Sequence, residues 1–248
     1  MYIGFDLNLD NNSFNEYDYT QIPFLKDNQK KVRKILNDFI GSNGNINATD
    51  IKNEWFPTID ANIFLSHSHK DEELAKKISA FLYIEFGLIT FIDSCVWGYC
   101  DELLKEIDYE YCYKFTTQTY DYDRRNRSTS HVHMMLSMAL TEIIDKTECV
   151  IFLNTPNSIT PSESLKQTSS PWIYNELTVT KLIRRQIPSR EQTIKKAFLE
   201  SKSKNIDFKY DVSLEHLYNL SYKHLLALKY LKNQDEHPLD LLYKLTIS

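Results

Sequence analysis

The chain has 248 residues, 42% of them hydrophobic and 25% charged, a composition that suits a folded domain and leaves room for a small appendage. Its net charge of −5, with only short basic clusters, argues against a nucleic-acid binder. No apolar run approaches the roughly 20 residues that span a bilayer. The start, MYIGFDLNLDNNSFNEYDY, is too polar for a signal peptide, and Cys95, Cys100, Cys112 and Cys149 show neither C-x-x-C nor metal-finger spacing. Together these point to a reduced, cytoplasmic protein with no membrane and no nucleic-acid partner.

Residues 1–26 have no clear period and read as an extended or partly ordered lead-in. Asp27 to Ile40 carries Val32, Ile35, Leu36 and Phe39 on one helical stripe ending at Gly41, and a second short helix, capped by Thr49 or Asp50, runs through Glu54 to Pro57. Residues 1–59 are therefore expected to be an N-terminal extension with short helices, and 60–248 the main domain. Lys30, Lys31, Arg33 and Lys34 fit a solvated helix face, whereas Arg124, Arg125 and Arg127 fall in a loop where they can help hold an anion.

From Ala61 the pattern changes. Ala61 to Leu65 is a short apolar run followed by SHSHKDEE and a helix from Glu72 to about Phe86. Leu88 to Ile92 is a second apolar run, ending in Asp93-Ser94, with a helix around Asp101 to Ile107 beyond it. A Tyr-rich insertion near 109–130 has no evident assignment. His131 to Asp145 reads as helix, Cys149 to Leu153 as a third buried strand, and Ser170-Pro171 as a helix start, with serine at the N-cap and proline in the first turn. Ile206 to Tyr210 reads as a fourth strand and Leu214 to Lys232 as a helix, giving the domain a helical C-terminal end. Short apolar strands alternating with helices specify an open parallel sheet with helices on both faces, an α/β, flavodoxin-like class. Ligands of such sheets bind beyond the carboxyl ends of the strands. Here those ends are SHSHKD, DSCVW and NTPNS.

Two strings carry chemistry. His67-Ser68-His69-Lys70-Asp71 matches the H-x-H-x-D spacing of dinuclear metal hydrolases, although Glu72 stands where a further histidine is expected; Ser66, Ser68 and Asp71 equally suit the cap of the following helix. Trp172 and Glu176 are four apart and share a helix face, placing an aromatic ring beside a carboxylate. His131 and His133, two apart on a helix, do not face together.

The order strand-SHSHKDEELA, strand-FIDS with Trp97 after it, strand-FLNTPNS and SPW-x-x-x-E resembles a TIR domain over about residues 60–180. Phe64-Leu65-Ser66-His67 and Asp71 match the family's first strand end, Asp93 to about Cys100 matches the mobile loop after the second strand, and Glu176 matches the catalytic glutamate of the W-x-x-x-E helix. The resemblance implies the TIR fold and cleavage of nicotinamide from NAD, with Glu176 catalytic and no cofactor beyond NAD as substrate. It implies that Trp172 shapes the ribose and nicotinamide pocket, that Ser66, His67 and Lys70 meet the diphosphate, that Trp97 stacks on a base, that Asp93 and Ser94 line the site, that Asn154 reaches ribose, and that no metal is bound. It further implies a homo-oligomer like the TIR subunit of Thoeris antiphage systems, responding to a phage-derived trigger and reaching a separate effector through an ADP-ribose-derived signalling nucleotide. Two alternatives stand beside it: a non-enzymatic TIR adaptor acting through TIR–TIR assembly, and a metal-dependent hydrolase using the H-x-H-x-D string.

Overall fold

The computed structural model describes residues 1–9, 14–22, 47–97, 100–160, 166–188, 210–232 and 236–247. In chain order the strands are β1 (Ile3–Asn8), β2 (Ile63–Ser66), β3 (Thr90–Phe91), β4 (Tyr113–Lys114), β5 (Thr119–Tyr120), β6 (Cys149–Asn154), β7 (Gln167–Thr168), β8 (Tyr210–Asp211) and β9 (Tyr218–Ser221). The helices are α1 (Ala48–Trp55), α2 (Glu72–Phe86), α3 (Asp93–Val96), α4 (Cys100–Ile107), α5 (Tyr122–Lys146), α6 (Pro171–Leu182), α7 (Tyr222–Leu231) and α8 (Pro238–Ile247). The chain forms two compact units, the first from Met1–Ile22, Asp60–Ile92 and Ile144–Ser248, the second from Pro23–Ile59 and Asp93–Ile143.

The first unit is built on a five-stranded, all-parallel open sheet in the order β3-β2-β6-β1-β9. Every residue of β2 is buried, as are five of the six in β6, because a parallel sheet covered on both faces has no polar side to present. Phe5 stacks on Tyr243 of α8, whereas Phe152 packs with Ile173 and Leu177 of α6. Phe152 is in register with Asp6, the next residue after Phe5, so these two rings lie on opposite faces and helices cover both.

The fold is the flavodoxin-like class expected from the sequence, with one rearrangement. Set β1 aside, and β3, β2, β6 and β9 read second, first, third, fourth in chain order, as in a flavodoxin-like sheet. Into that order β1 is intercalated between β6 and β9, pairing in parallel with each. Residues 3–8, expected to belong to an N-terminal extension, are therefore interior to the sheet. The signal was weak because Gly4 and Asp6 break what would otherwise be an apolar run. Gly4 makes room for packing: a Cβ there would stand 2.5 Å from Leu217 Cδ2, so its absence lets that side chain lie on the strand without shifting.

Several local expectations change in detail. The short helix α1 is capped by Asn47, whose side chain accepts from the backbone N–H groups of Thr49 and Asp50, rather than by either of those residues. The helix expected over Leu214 to Lys232 is a strand followed by a helix: Leu220 is buried in β9, and α7 begins only after Ser221, which forms a capping box with His224. The leucine spacing is helical, but Leu214 packs with Phe152 and Ile173 while Leu220 enters the sheet. Tyr210 falls in the short ribbon of β8 with β7; residues 206–209, and the helix expected over Asp27 to Ile40, lie outside the described residues. Helix α2 ends at Gly87, whose φ of 69° is the left-handed conformation that glycine adopts without strain.

In the second unit the Tyr-rich insertion is a turn of π-helical backbone over Asp108–Cys112, a β4–β5 hairpin and the start of α5. Tyr113 contacts Tyr109, Phe115 and Tyr120, and the Arg125 guanidinium lies 5.1 Å from the centre of the Tyr120 ring. Buried Asp108 accepts from Arg125 Nε and Ser128 Oγ, both at 2.8 Å. Arg125 thus serves an internal carboxylate, and together with Arg124 and Arg127 it is part of helix α5 rather than a loop. Among the described residues no helix is long and apolar enough to cross a membrane, and Cys95, Cys112 and Cys149 are free thiols.

Candidate functional site

The crevice of this sheet follows from its connections. The chain leaves β2 toward β3 and leaves β6 toward β9, in opposite directions, so the gap beyond the carboxyl ends of β2 and β6 is the topological switch point at which α/β sheets bind ligands. The residues found there are Ser66 to Asp71 after β2 and Asn154 to Ser158 at the end of β6.

Ser66 ends β2 and is in register with Phe152, so its side chain is on the α6 face. Helix α6 opens as its sequence dictates, with Ser170 Oγ accepting from the Ile173 N–H and Pro171 in the first turn. One turn on, Glu176 descends from α6, and Ser66 Oγ donates to Glu176 Oε2 at 2.5 Å. The serine is 3% exposed and the glutamate 4%, so this pair is withdrawn from bulk water into surroundings that screen electrostatic interactions much less. Trp172 is half-buried one turn before Glu176 on the same helix face. Thr180, one turn after it, completes the stripe: its hydroxyl donates to the Leu177 carbonyl, and His216 Nε2 lies 2.9 Å from its Oγ1. Burial, with Lys181 and Arg185 adding to it, lowers the His216 imidazole to about 4, so it is neutral at pH 7.

The H-x-H-x-D string does not converge. His67 is buried with Nδ1 3.3 Å from the Leu65 carbonyl oxygen, while His69 and Lys70 are exposed. Asp71 leaves α2 uncapped by its side chain and reaches across the crevice instead: Oδ2 accepts from Thr155 Oγ1 at 2.5 Å and Oδ1 from Asn157 Nδ2 at 2.8 Å. It ties the loop after β2 to the loop after β6, which is a structural role distinct from both the cap and the metal ligand considered from sequence. Among the described residues no three His, Cys, Asp or Glu side chains are grouped to hold a metal. The start of α2 also carries Glu72 and Glu73, so negative charge already occupies the helix end expected to face the diphosphate.

The remaining expected residues are distributed as follows. Asn154, at the end of β6, donates from Nδ2 to Asp6 Oδ1 at 2.9 Å, so it orients a carboxylate that the sequence reading did not single out. Asp93, Ser94 and Trp97 belong to the second unit. Asp93 Oδ1 accepts from the Ser94 N–H, closing the turn that starts α3. Trp97 is 2% exposed, packs edge-on against Phe56 and donates its indole N–H to the Pro57 carbonyl, which makes it a core residue with no ring face open for stacking on a base. Residues 98–99, in the expected mobile loop, lie outside the described residues. The structure thus brings together Ser66, Glu176 and, along the α6 stripe, Trp172.

No known protein family, characterised protein or solved structure matches this chain. The function must therefore be argued from the site.

Proposed function

We propose that this protein is an NAD glycohydrolase of TIR type, in which Glu176 supports cleavage of the bond between nicotinamide and ribose. The observation that carries the reading is the buried Ser66–Glu176 pair at the switch-point crevice. Nicotinamide is a good leaving group, because its departure neutralises the positive ring nitrogen, so strong acid catalysis on it is unnecessary. What the reaction needs is negative charge near the ribose as the C–N bond lengthens and the sugar becomes oxocarbenium-like. A carboxylate withdrawn from water and held by a serine hydroxyl meets that need, and Trp172, on the same helix face, offers a ring to the pyridinium cation. No metal or further cofactor enters the scheme.

Burial of Glu176 to 4% exposure also fits an enzyme that works only after a triggering or assembly step admits substrate to this crevice. On the resemblance, that step is assembly of several copies on a phage-derived signal, and the ADP-ribose-derived product is a nucleotide read by a separate effector. The test is NAD consumption by purified protein at high concentration, with and without lysate from phage-infected cells, with products separated by mass. Cleavage by wild type but not by Glu176→Gln supports the reading and identifies the product. Absence of turnover in every condition overturns it in favour of the adaptor, which the exposed aromatics Tyr109, Phe115, Tyr120 and Tyr122 of the second unit would then serve.

A further inference from the structure

The register of the sheet sets Ser66, Phe152, Asp6 and Asn219 in one row across β2, β6, β1 and β9, and all four side chains share the α6 face. Asp6 is therefore a second carboxylate on the same sheet face, level with the end of β2 and one same-face position before the end of β1 at Asn8. It stands two strands from Ser66, about 10 Å away at an interstrand spacing of about 4.8 Å. Glu176 meets Ser66, so one ribose cannot touch both carboxylates, whereas a diphosphate holds the two riboses of a dinucleotide apart by about this much.

Asp6 is prepared for a ligand in three respects. It is half-buried, in contrast to Glu176, so one edge is reachable from solvent. Among the described residues its one hydrogen bond comes from Asn154 Nδ2 to Oδ1, which fixes the carboxylate and leaves Oδ2 to accept from a guest. Its neighbour in register on β9 is the exposed Asn219, so the side toward β9 is open, whereas Gly4, two residues earlier on the same face, is covered by Leu217.

We infer that Asp6, positioned by Asn154, accepts hydrogen bonds from the adenosine ribose of NAD and selects NAD against NADP. This rests on the NAD-cleaving reading and extends it to the second sugar. The physical basis is general: a carboxylate accepts from a free ribose 2′-hydroxyl, whereas a 2′-phosphate brings negative charge against it. Asp6 is a binding and specificity residue in this scheme and takes no part in breaking the glycosidic bond.

The test compares kcat/KM for NAD and NADP in the wild type and in Asp6→Asn, which keeps an oxygen for Asn154 and removes the charge. The wild type is expected to favour NAD by about tenfold or more, and the variant to bring the ratio to within about threefold of unity. Wild-type protein alone gives a second readout that needs no variant: NAD lacking the adenosine-ribose 2′-hydroxyl should show a KM raised by about tenfold. A wild type that cleaves NAD but makes neither distinction, or a preference for NAD that Asp6→Asn leaves untouched, overturns the assignment of Asp6 while leaving the NAD reading intact. A wild type that cleaves no NAD under any condition overturns both.

Discussion

Two carboxylates on one face of one sheet are held in opposite ways. Glu176 comes down from a helix, is shut away from water and meets a serine hydroxyl. Asp6 stands on a strand, is half-open and, among the described residues, takes a single side-chain hydrogen bond, from an amide. The dry carboxylate suits the stabilisation of charge that develops during a reaction, because little solvent screens it. The wetter one suits recognition of a neutral hydroxyl and rejection of an anion. On the proposed reading, chemistry and specificity are separated by two strands, and each should be open to disturbance without the other.

Four experiments would break or sharpen that separation. Glu176→Gln keeps a group able to accept from Ser66 and removes only the charge, so kcat is expected to fall by about 10²–10³-fold while folding stability stays within about 1 kcal/mol. A similar loss from Asp6→Asn would erase the distinction. Behind the dry end, His216 is held neutral with a folded pKa of about 4, below the ordinary 6.5. Between those values the unfolded chain binds a proton that the folded one refuses, so stability should fall by roughly 2–3 kcal/mol as pH drops from 6.5 to 4. Urea titrations of the wild type and His216→Gln across that window check it, and an unchanged slope in the variant would show that His216 is not its source.

Ser66→Ala removes the donor from a buried carboxylate. Stability should drop by about 1–2 kcal/mol and kcat by about tenfold, with the preference for NAD over NADP retained. The smallest effect is expected for Asn154→Ala, which frees Asp6 without removing it. The NAD:NADP ratio should narrow by about threefold, measured beside kcat on NAD, and a larger loss in kcat than in that ratio would place Asn154 with Glu176 instead.

The elements that carry Ser66 and Glu176 were legible in the chain, although the contact between the two was not; Asp6 was legible in neither respect. Ile63 to Ser66 and Cys149 to Asn154 are continuous apolar runs closed by polar residues, and Ser170-Pro171 announces α6, so the strands and the helix were readable, while Glu176 itself was named only through the resemblance to TIR domains. Asp6 gave no such signal. Its strand is broken by glycine and a charge, and its partner Asn154 lies 148 positions away, a distance over which no local period carries information. The Tyr-rich hairpin and the β9 strand escaped for a related reason: two- and four-residue strands are shorter than the window in which a period of two can be told from one of 3.6. Asp71 shows the converse, a residue conspicuous in sequence whose side chain is spent on joining two loops.

The intercalated strand also constrains how the molecule is made. Ile3 finds Cys149 and Phe5 finds Tyr218, so β1 has no partner until most of the chain exists. Contacts of such sequence separation slow folding, because a large loop must close before any pairing rewards it. A nascent chain that ends short of β9 leaves β1 as an unprotected edge, able to pair with other chains. Such a chain would hold the Ser66–Glu176 pair and still lack the strand that flanks Asp6, so the Asp6 end of the sheet should be the last part to mature.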